Sequence, residues 1–182
     1  MSQVLPETVT VELKDGTPVA LRPIRPDDAP RLQAFHTRLS SDSIYLRWLS
    51  AHPVLSDAEA AALSTVDYTT RMAFVATRPV DGEEHVIGVA RYGVVSPERP
   101  DEAEAAIVVE DAFQSRGLGT HLLRALWTYA RAHGIRYWVA EINVENNRML
   151  KFIQRGGLPT TRRLESGSWQ IKIDIAPPDA AA

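Results

Sequence analysis

Gln114-Ser115-Arg116-Gly117-Leu118-Gly119-Thr120 joins an apolar extended run, Ala103 to Val109, to a run from Leu118 to His133. In the second run Leu118, Leu122, Ala125, Leu126 and Tyr129 recur at helical spacing. A strand, a glycine turn and a helix in that order bring backbone N–H groups and the positive end of a helix dipole to one point, where an anion can bind. Phosphate is the natural guest. Glycines at 117 and 119 remove two side chains that would hold a diphosphate off the backbone, while Arg116 adds a cation and Thr120 a hydroxyl. Taken alone, the stretch reads equally well as a tight connection that binds nothing. Two common nucleotide turns are excluded by spacing: the Gly-x-x-x-x-Gly-Lys-Ser/Thr of a P-loop and the Gly-x-Gly-x-x-Gly of a dinucleotide site are both missing.

Working outward, Ile135 to Val144 is again extended, so strand, helix and strand make one crossover unit with parallel strands. Asn146 to Arg155 reads as a helix with Met149, Leu150 and Ile153 toward its buried side, stopped by Gly156-Gly157. A last hairpin pairs Thr160 to Glu165 with Trp169 to Ile175 across Ser166-Gly167. Upstream, Val9 to Leu13 and Pro18 to Arg25 form an opening hairpin over Asp15-Gly16. Asp27 or Asp28 can cap a helix with Leu32, Phe35, His36 and Leu39 on one face. A short helix holds Ile44, Tyr45, Trp48 and Leu49, and Ser56-Asp57-Ala58-Glu59 has the spacing of a capping box for a third helix to about Leu63. Strands Met72 to Thr77 and His85 to Ser96 follow, joined across Asp81-Gly82.

The 182 residues, 45% hydrophobic and 24% charged, suit one domain with one ordinary core. That domain is expected over 9–175, with an N-terminal extension at 1–8 and a disordered tail at 176–182. No apolar run approaches the length needed to cross a bilayer, and the start lacks a secretion-signal layout, so a soluble cytoplasmic protein without membrane association is expected. Zero cysteines exclude thiol nucleophiles, disulfides and thiolate metal sites. A net charge of -3 argues against a general nucleic-acid binder. Histidines 36, 52, 85, 121 and 133 show no ligand spacing, so no metal is expected. Trp48, Trp127, Trp138 and Trp169 read as core or interface anchors. The pattern leaves monomer and homodimer equally open.

Gln114 to Gly119 fits every fixed position of Gln/Arg-x-x-Gly-x-Gly/Ala, and at this point the chain resembles the GNAT superfamily of acyl-CoA-dependent N-acyltransferases. The resemblance extends over Val19 to Ala29, the strand from Ala103, Glu145-Asn146-Asn147-Arg148-Met149 and Gly156-Gly157-Leu158. With Ser43 to Trp48 and Val66-Asp67-Tyr68, the chain is most similar to the catalytic domain of bacterial Pat-type protein-lysine acetyltransferases. That implies an α/β (α+β) GNAT fold: a mixed, mostly antiparallel twisted sheet flanked by helices, with parallel fourth and fifth main strands that splay apart. The pantetheine arm of acetyl-CoA, the implied cosubstrate, would run between them along the main chain at Val108 and Val109, its diphosphate held by Gln114, Ser115, Arg116, Gly117, Leu118, Gly119 and Thr120. Asn146 matches the family asparagine expected to hydrogen-bond the cosubstrate, and it equally suits an N-cap.

Acetyl transfer to an amine needs the neutral amine, yet a lysine of pKa about 10.4 is below ~0.1% neutral at pH 7. Glu104 matches the catalytic glutamate of Pat-like enzymes, and burial among Ala, Ile and Val would strengthen it as a base acting through water. The other reading is a glutamate on the rim of the strand. Glu110 is a rival whose place after the strand suits a solvated turn. Glu98, Asp101 and Glu102 could draw in a cationic amine or a basic protein segment, or form a solvated loop. Many GNAT enzymes protonate the leaving thiolate from a tyrosine seven residues after the asparagine; here that position is Ile153, leaving water, the incoming ammonium, Tyr137 or Tyr129. The resemblance implies direct transfer in a ternary complex to a primary amine, foremost a protein lysine such as one on an acyl-CoA synthetase. Two alternatives are a small-molecule amine acetyltransferase acting on an aminoglycoside or polyamine, and a noncatalytic acyl-CoA-binding module.

Overall fold

A computed structural model describes residues 5–176; the first four residues of the N-terminal extension and nearly all of the 176–182 tail lie outside the described residues. The chain runs β1 (Val9–Glu12), β2 (Pro18–Pro23), α1 (Ala29–Thr37), α2 (Ser41–Trp48), α3 (Asp57–Ser64), β3 (Arg71–Val80) and β4 (Glu83–Ser96). It continues with β5 (Arg99–Val109), α4 (Leu118–Ala132), β6 (Tyr137–Asn143), α5 (Asn147–Gly156), β7 (Thr160–Glu165) and β8 (Ser168–Asp174). The strands form a single sheet in the order β1-β2-β3-β4-β5-β6-β8-β7. Every neighbouring pair is antiparallel except β5 and β6.

Local chemistry sets the ends of these elements. Ser56 and Glu59 make the reciprocal capping box that starts α3. Asp28 precedes α1 but makes no side-chain cap, because its carboxylate is taken by Arg22 at 2.7 and 2.8 Å. In α2, Ile44 and Trp48 pack inward while Tyr45 is exposed. β5 begins at Arg99, earlier than the expected Ala103, because β4 turns straight back and pairs Ser96 with Arg99.

Two apolar clusters sandwich the sheet. Leu118, Leu122, Leu126 and Tyr129 of α4 press on Tyr92 and Ala103 from one face. On the other, Leu32 and Phe35 of α1 and Ala60 of α3 cover Val75, Val86 and Val89. The alternation of β5 therefore sends Ala103, Ala105 and Ile107 toward α4, and Glu104, Ala106 and Val108 toward the α1–α3 side. Among the described residues, no helix is long and apolar enough to cross a membrane.

Candidate active site

The parallel seam is short. β5 and β6 pair only at Glu102 with Tyr137, Ala103 with Trp138 and Glu104 with Val139. Beyond Glu104, β5 stays bonded to β4 as far as Val109 opposite Gly88, while β6 follows β8 to Asn143. The two strands therefore part, and the β5 edge from Ala105 to Val109 faces a notch with no strand across it. Parallel strands that splay in mid-sheet leave backbone donors and acceptors ready for an extended ligand.

The glycine turn closes the far end of that notch. Gly117 is the N-cap of α4 at φ 93°, and Ser115 also holds a positive φ of 63°. Such a start aims the first helical N–H groups outward, as an anion site requires. The opening hairpin buttresses the turn: the Lys14 N–H donates to the Arg116 carbonyl at 3.0 Å. Arg116, the cation expected at the turn, pairs with Asp15 at 2.8 Å and lies over the Phe113 ring. Hydrogen bonding from Thr17, with a smaller contribution from Arg116, holds the Asp15 carboxyl below its usual range.

Gln114 is the joint of the turn. Its amide donates to the Val109 carbonyl at 2.9 Å and to the Ser43 hydroxyl at 3.0 Å, and its oxygen accepts from Arg148 of α5. Ser40 and Ser43 in turn donate to Asp111, and these hydrogen bonds hold its carboxyl down despite burial that would raise it. Gln114 thus meets Val109 at one end of the notch, and its bond from Arg148 ties in α5, of which Asn146 is the N-cap. The Asn146 side chain accepts from the Met149 N–H at 3.1 Å, so the N-cap half of its expected role is present.

Glu104 stands at the other end of the notch, where the seam gives out. It is exposed, so the burial expected to strengthen it is not found. Two other carboxylates of the β5 region are engaged. Glu110 does not lie in a solvated turn; it is largely buried and bonded to Arg38 at 3.0 Å. Glu102 is only 5% exposed and is held by Arg99 at 2.7 Å and by Lys172, so it belongs to β5 rather than to a free acidic loop. Tyr129 is buried under α4 with its hydroxyl donated to the Tyr68 carbonyl at 2.7 Å, which removes it as a proton source.

Between α2 and the β4–β5 face lies a narrow cleft of about 30 Å³, lined by Arg47, Arg91, His36, Trp48, Ala106 and Val108. Sequence reasoning missed both arginines as site residues. Arg91 sits on a strand of apolar neighbours, and Arg47 lies within the Ser43 to Trp48 stretch that carries the resemblance; those were the available signals. Lys14 and Arg148 were also missed, because a hairpin over a hundred residues away and a later helix reach the turn only in three dimensions.

The sequence profile of the acetyltransferase (GNAT) domain family matches residues 19–159. An acetyltransferase of Pseudomonas aeruginosa is 34% identical over 137 residues, covering 75% of this chain and 73% of the relative. The acetyltransferase Pat of Mycolicibacterium smegmatis is 30% identical over 171 residues, covering 94% of this chain; the chain spans 50% of that relative's length. The crystal structure of the GNAT domain of S. lividans PAT superposes with a TM-score of 0.82 at 33% identity, covering 92% of this chain and 96% of that one.

Proposed function

The chain belongs to the GNAT acetyltransferase family and is an acyltransferase, and from that premise we propose that it moves acetyl from acetyl-CoA to the side-chain amine of a protein lysine. The observation that carries this reading is the alignment of three features along one strand. The glycine turn lies at one end of β5, the unpaired edge runs from Val109 back to Ala105, and Glu104 stands where that edge ends. The residues fit the cosubstrate: Gly117, Leu118 and Gly119 present a helix start for the diphosphate, and the β5 backbone at Val108 and Val109 offers a strand edge for the pantetheine amides. Acetyl-CoA supplies the acetyl group as an activated thioester.

In this reading Glu104 takes a proton from the incoming ammonium through water, and solvent access at its exposed position suits that relay. Asn146 orients the arm from across the notch while capping α5. The amine then attacks directly, with no covalent enzyme intermediate, since no activated nucleophile faces the notch among the described residues. A lysine acceptor is favoured by the likeness to Pat and to the GNAT domain of S. lividans PAT. A cell lysate incubated with labelled acetyl-CoA, with and without the enzyme, tests it by mass spectrometry. Label on protein lysines supports the proposal; label confined to small amines replaces it with a small-molecule acetyltransferase.

A further inference from the structure

The cleft beneath α2 holds a charge that the fold leaves without a counter-ion. Arg47 reaches into it beside Ala106 and Val108, and its guanidinium makes no ion pair or hydrogen bond with any described residue. Its supports are the face of Trp48, 5.0 Å away, and the field of Glu104 at the mouth. Burial lowers its proton affinity, and Glu104 only partly offsets this. Arg91, the neighbouring cation, has a partner in the Leu63 carbonyl at the end of α3, 3.2 Å away. It is pushed down to about 9 by burial, with repulsion from Arg47 and Arg71 adding to the effect. The remaining titratable group on the cleft is His36, whose Nε2 is 2.7 Å from the His52 carbonyl and so carries a proton. A guanidinium with five donors is costly to bury without acceptors, and such a group beside a reaction path is well placed to meet an anion there.

Position identifies the anion. The free β5 edge from Ala105 to Val109 is about 13 Å of strand, and an arm anchored at the glycine turn brings its reacting end toward Ala106 and Glu104, alongside Arg47. During transfer the nitrogen lone pair forms the C–N bond to the acyl carbon, the C–S bond breaks, and its electron pair stays on sulfur. Nitrogen loses two protons in all, one before attack and one after it, and each passes by way of Glu104 and its water to solvent. The alkyl side chain of Ile153 has no proton to give the sulfur. Resting on the acetyl-CoA reading above, we propose that Arg47 is the catalytic residue that stabilises the departing thiolate by donating a hydrogen bond to it, keeping its own proton.

The test is a direct titration of the CoA thiol on the protein, followed by ultraviolet thiolate absorbance, which needs no turnover. On the wild-type protein the thiol of bound CoA should titrate at least about one unit below free CoA, as cationic surroundings do to thiols. Arg47→Gln should abolish the shift, and Arg47→Lys should keep part of it. A bound thiol that titrates as in free solution overturns the proposal from the wild-type measurement alone, whatever the folding of the variants. A shift that survives in Arg47→Gln overturns it as well. Calorimetry run alongside separates the two readings: absence of CoA binding removes both, whereas binding with an unshifted thiol removes only the role of Arg47.

Discussion

Gly117 and Gly119 are glycines for different reasons. Gly117 sits at φ 93°, where a side chain strains the backbone, so its identity follows from the shape of the turn. Gly119 has ordinary helical backbone, and a Cβ there would meet only Ile107 Cδ1 at 3.5 Å, an ordinary contact. The fold therefore admits a side chain at 119, and a ligand is what would object to one. Gly119→Ala should melt like the wild type, while Gly119→Glu, folded, should lose at least about tenfold in acetyl-CoA affinity by calorimetry, equivalent to about 1.4 kcal/mol. Unchanged affinity would remove the turn from the binding site. Glu104 supports a separate test: Glu104→Gln should leave cosubstrate affinity intact and cut turnover by ~10²-fold near neutral pH, with part of the rate returning as alkali neutralises the amine. Wild-type turnover with an unaltered pH profile would move the base elsewhere.

At the scale of elements, one buried knot ties the start of α1 to the β3–β4 hairpin. Arg22 of β2 is 3% exposed and binds Asp28 before α1 and Glu84 of β4, while Thr77 of β3 donates to Glu84 at 2.8 Å. Hydrogen bonds from Arg22, then Thr77, hold Glu84 down to about 2 against an ordinary 4.5. Its folded pKa lies below its unfolded one, so its contribution is complete above about pH 4.5 and is lost as pH falls toward 2. Its partly exposed carboxylate limits that contribution to about 1 kcal/mol. Thermal melting across this window should fall more steeply for the wild type than for Glu84→Gln; parallel curves would exclude the knot. The elements themselves were largely legible, because the signals are local: the Ser56–Glu59 box, the helical spacing of Leu118 to Tyr129, and Ser166-Gly167 between β7 and β8. What escaped was set by distant partners. Glu102 reads as one of a run of acids until Lys172, seventy residues on, is beside it, and Glu110 reads as solvated until Arg38 arrives from α1. The glycine turn was legible as a strand-to-helix connection, but its tie to α2 and α5 through Gln114 needed the fold.

Across the whole molecule, a protein acceptor as proposed would meet the mouth of the notch along α1, α2 and the start of β5. Of the acids there, Glu98 is exposed and Asp101 half-buried, whereas Glu102 is committed to its ion pairs. Replacing Glu98 and Asp101 by Gln and Asn should reduce kcat/KM for a folded lysine-bearing protein by about 2- to 10-fold at low salt and flatten its salt dependence, leaving acetyl-CoA affinity unchanged. A salt profile identical to the wild type would exclude steering by this surface. Glu102→Gln should behave differently, costing about 1–2 kcal/mol of stability through its partners, read as a lower Tm. The short seam between β5 and β6 has its own consequence. Three register pairs are all the strand pairing described between β1–β5 and the β6-β8-β7 leaf, so the sheet is two plates whose backbone ladders meet along a narrow weld, flanked by the Glu102–Lys172 ion pair and the core beneath α4. An acetyl-CoA arm lying in the notch as proposed would bond to both plates at once and act as mortar. Its loading should therefore raise the cooperativity of melting as well as the midpoint, because the plates then come apart together or not at all.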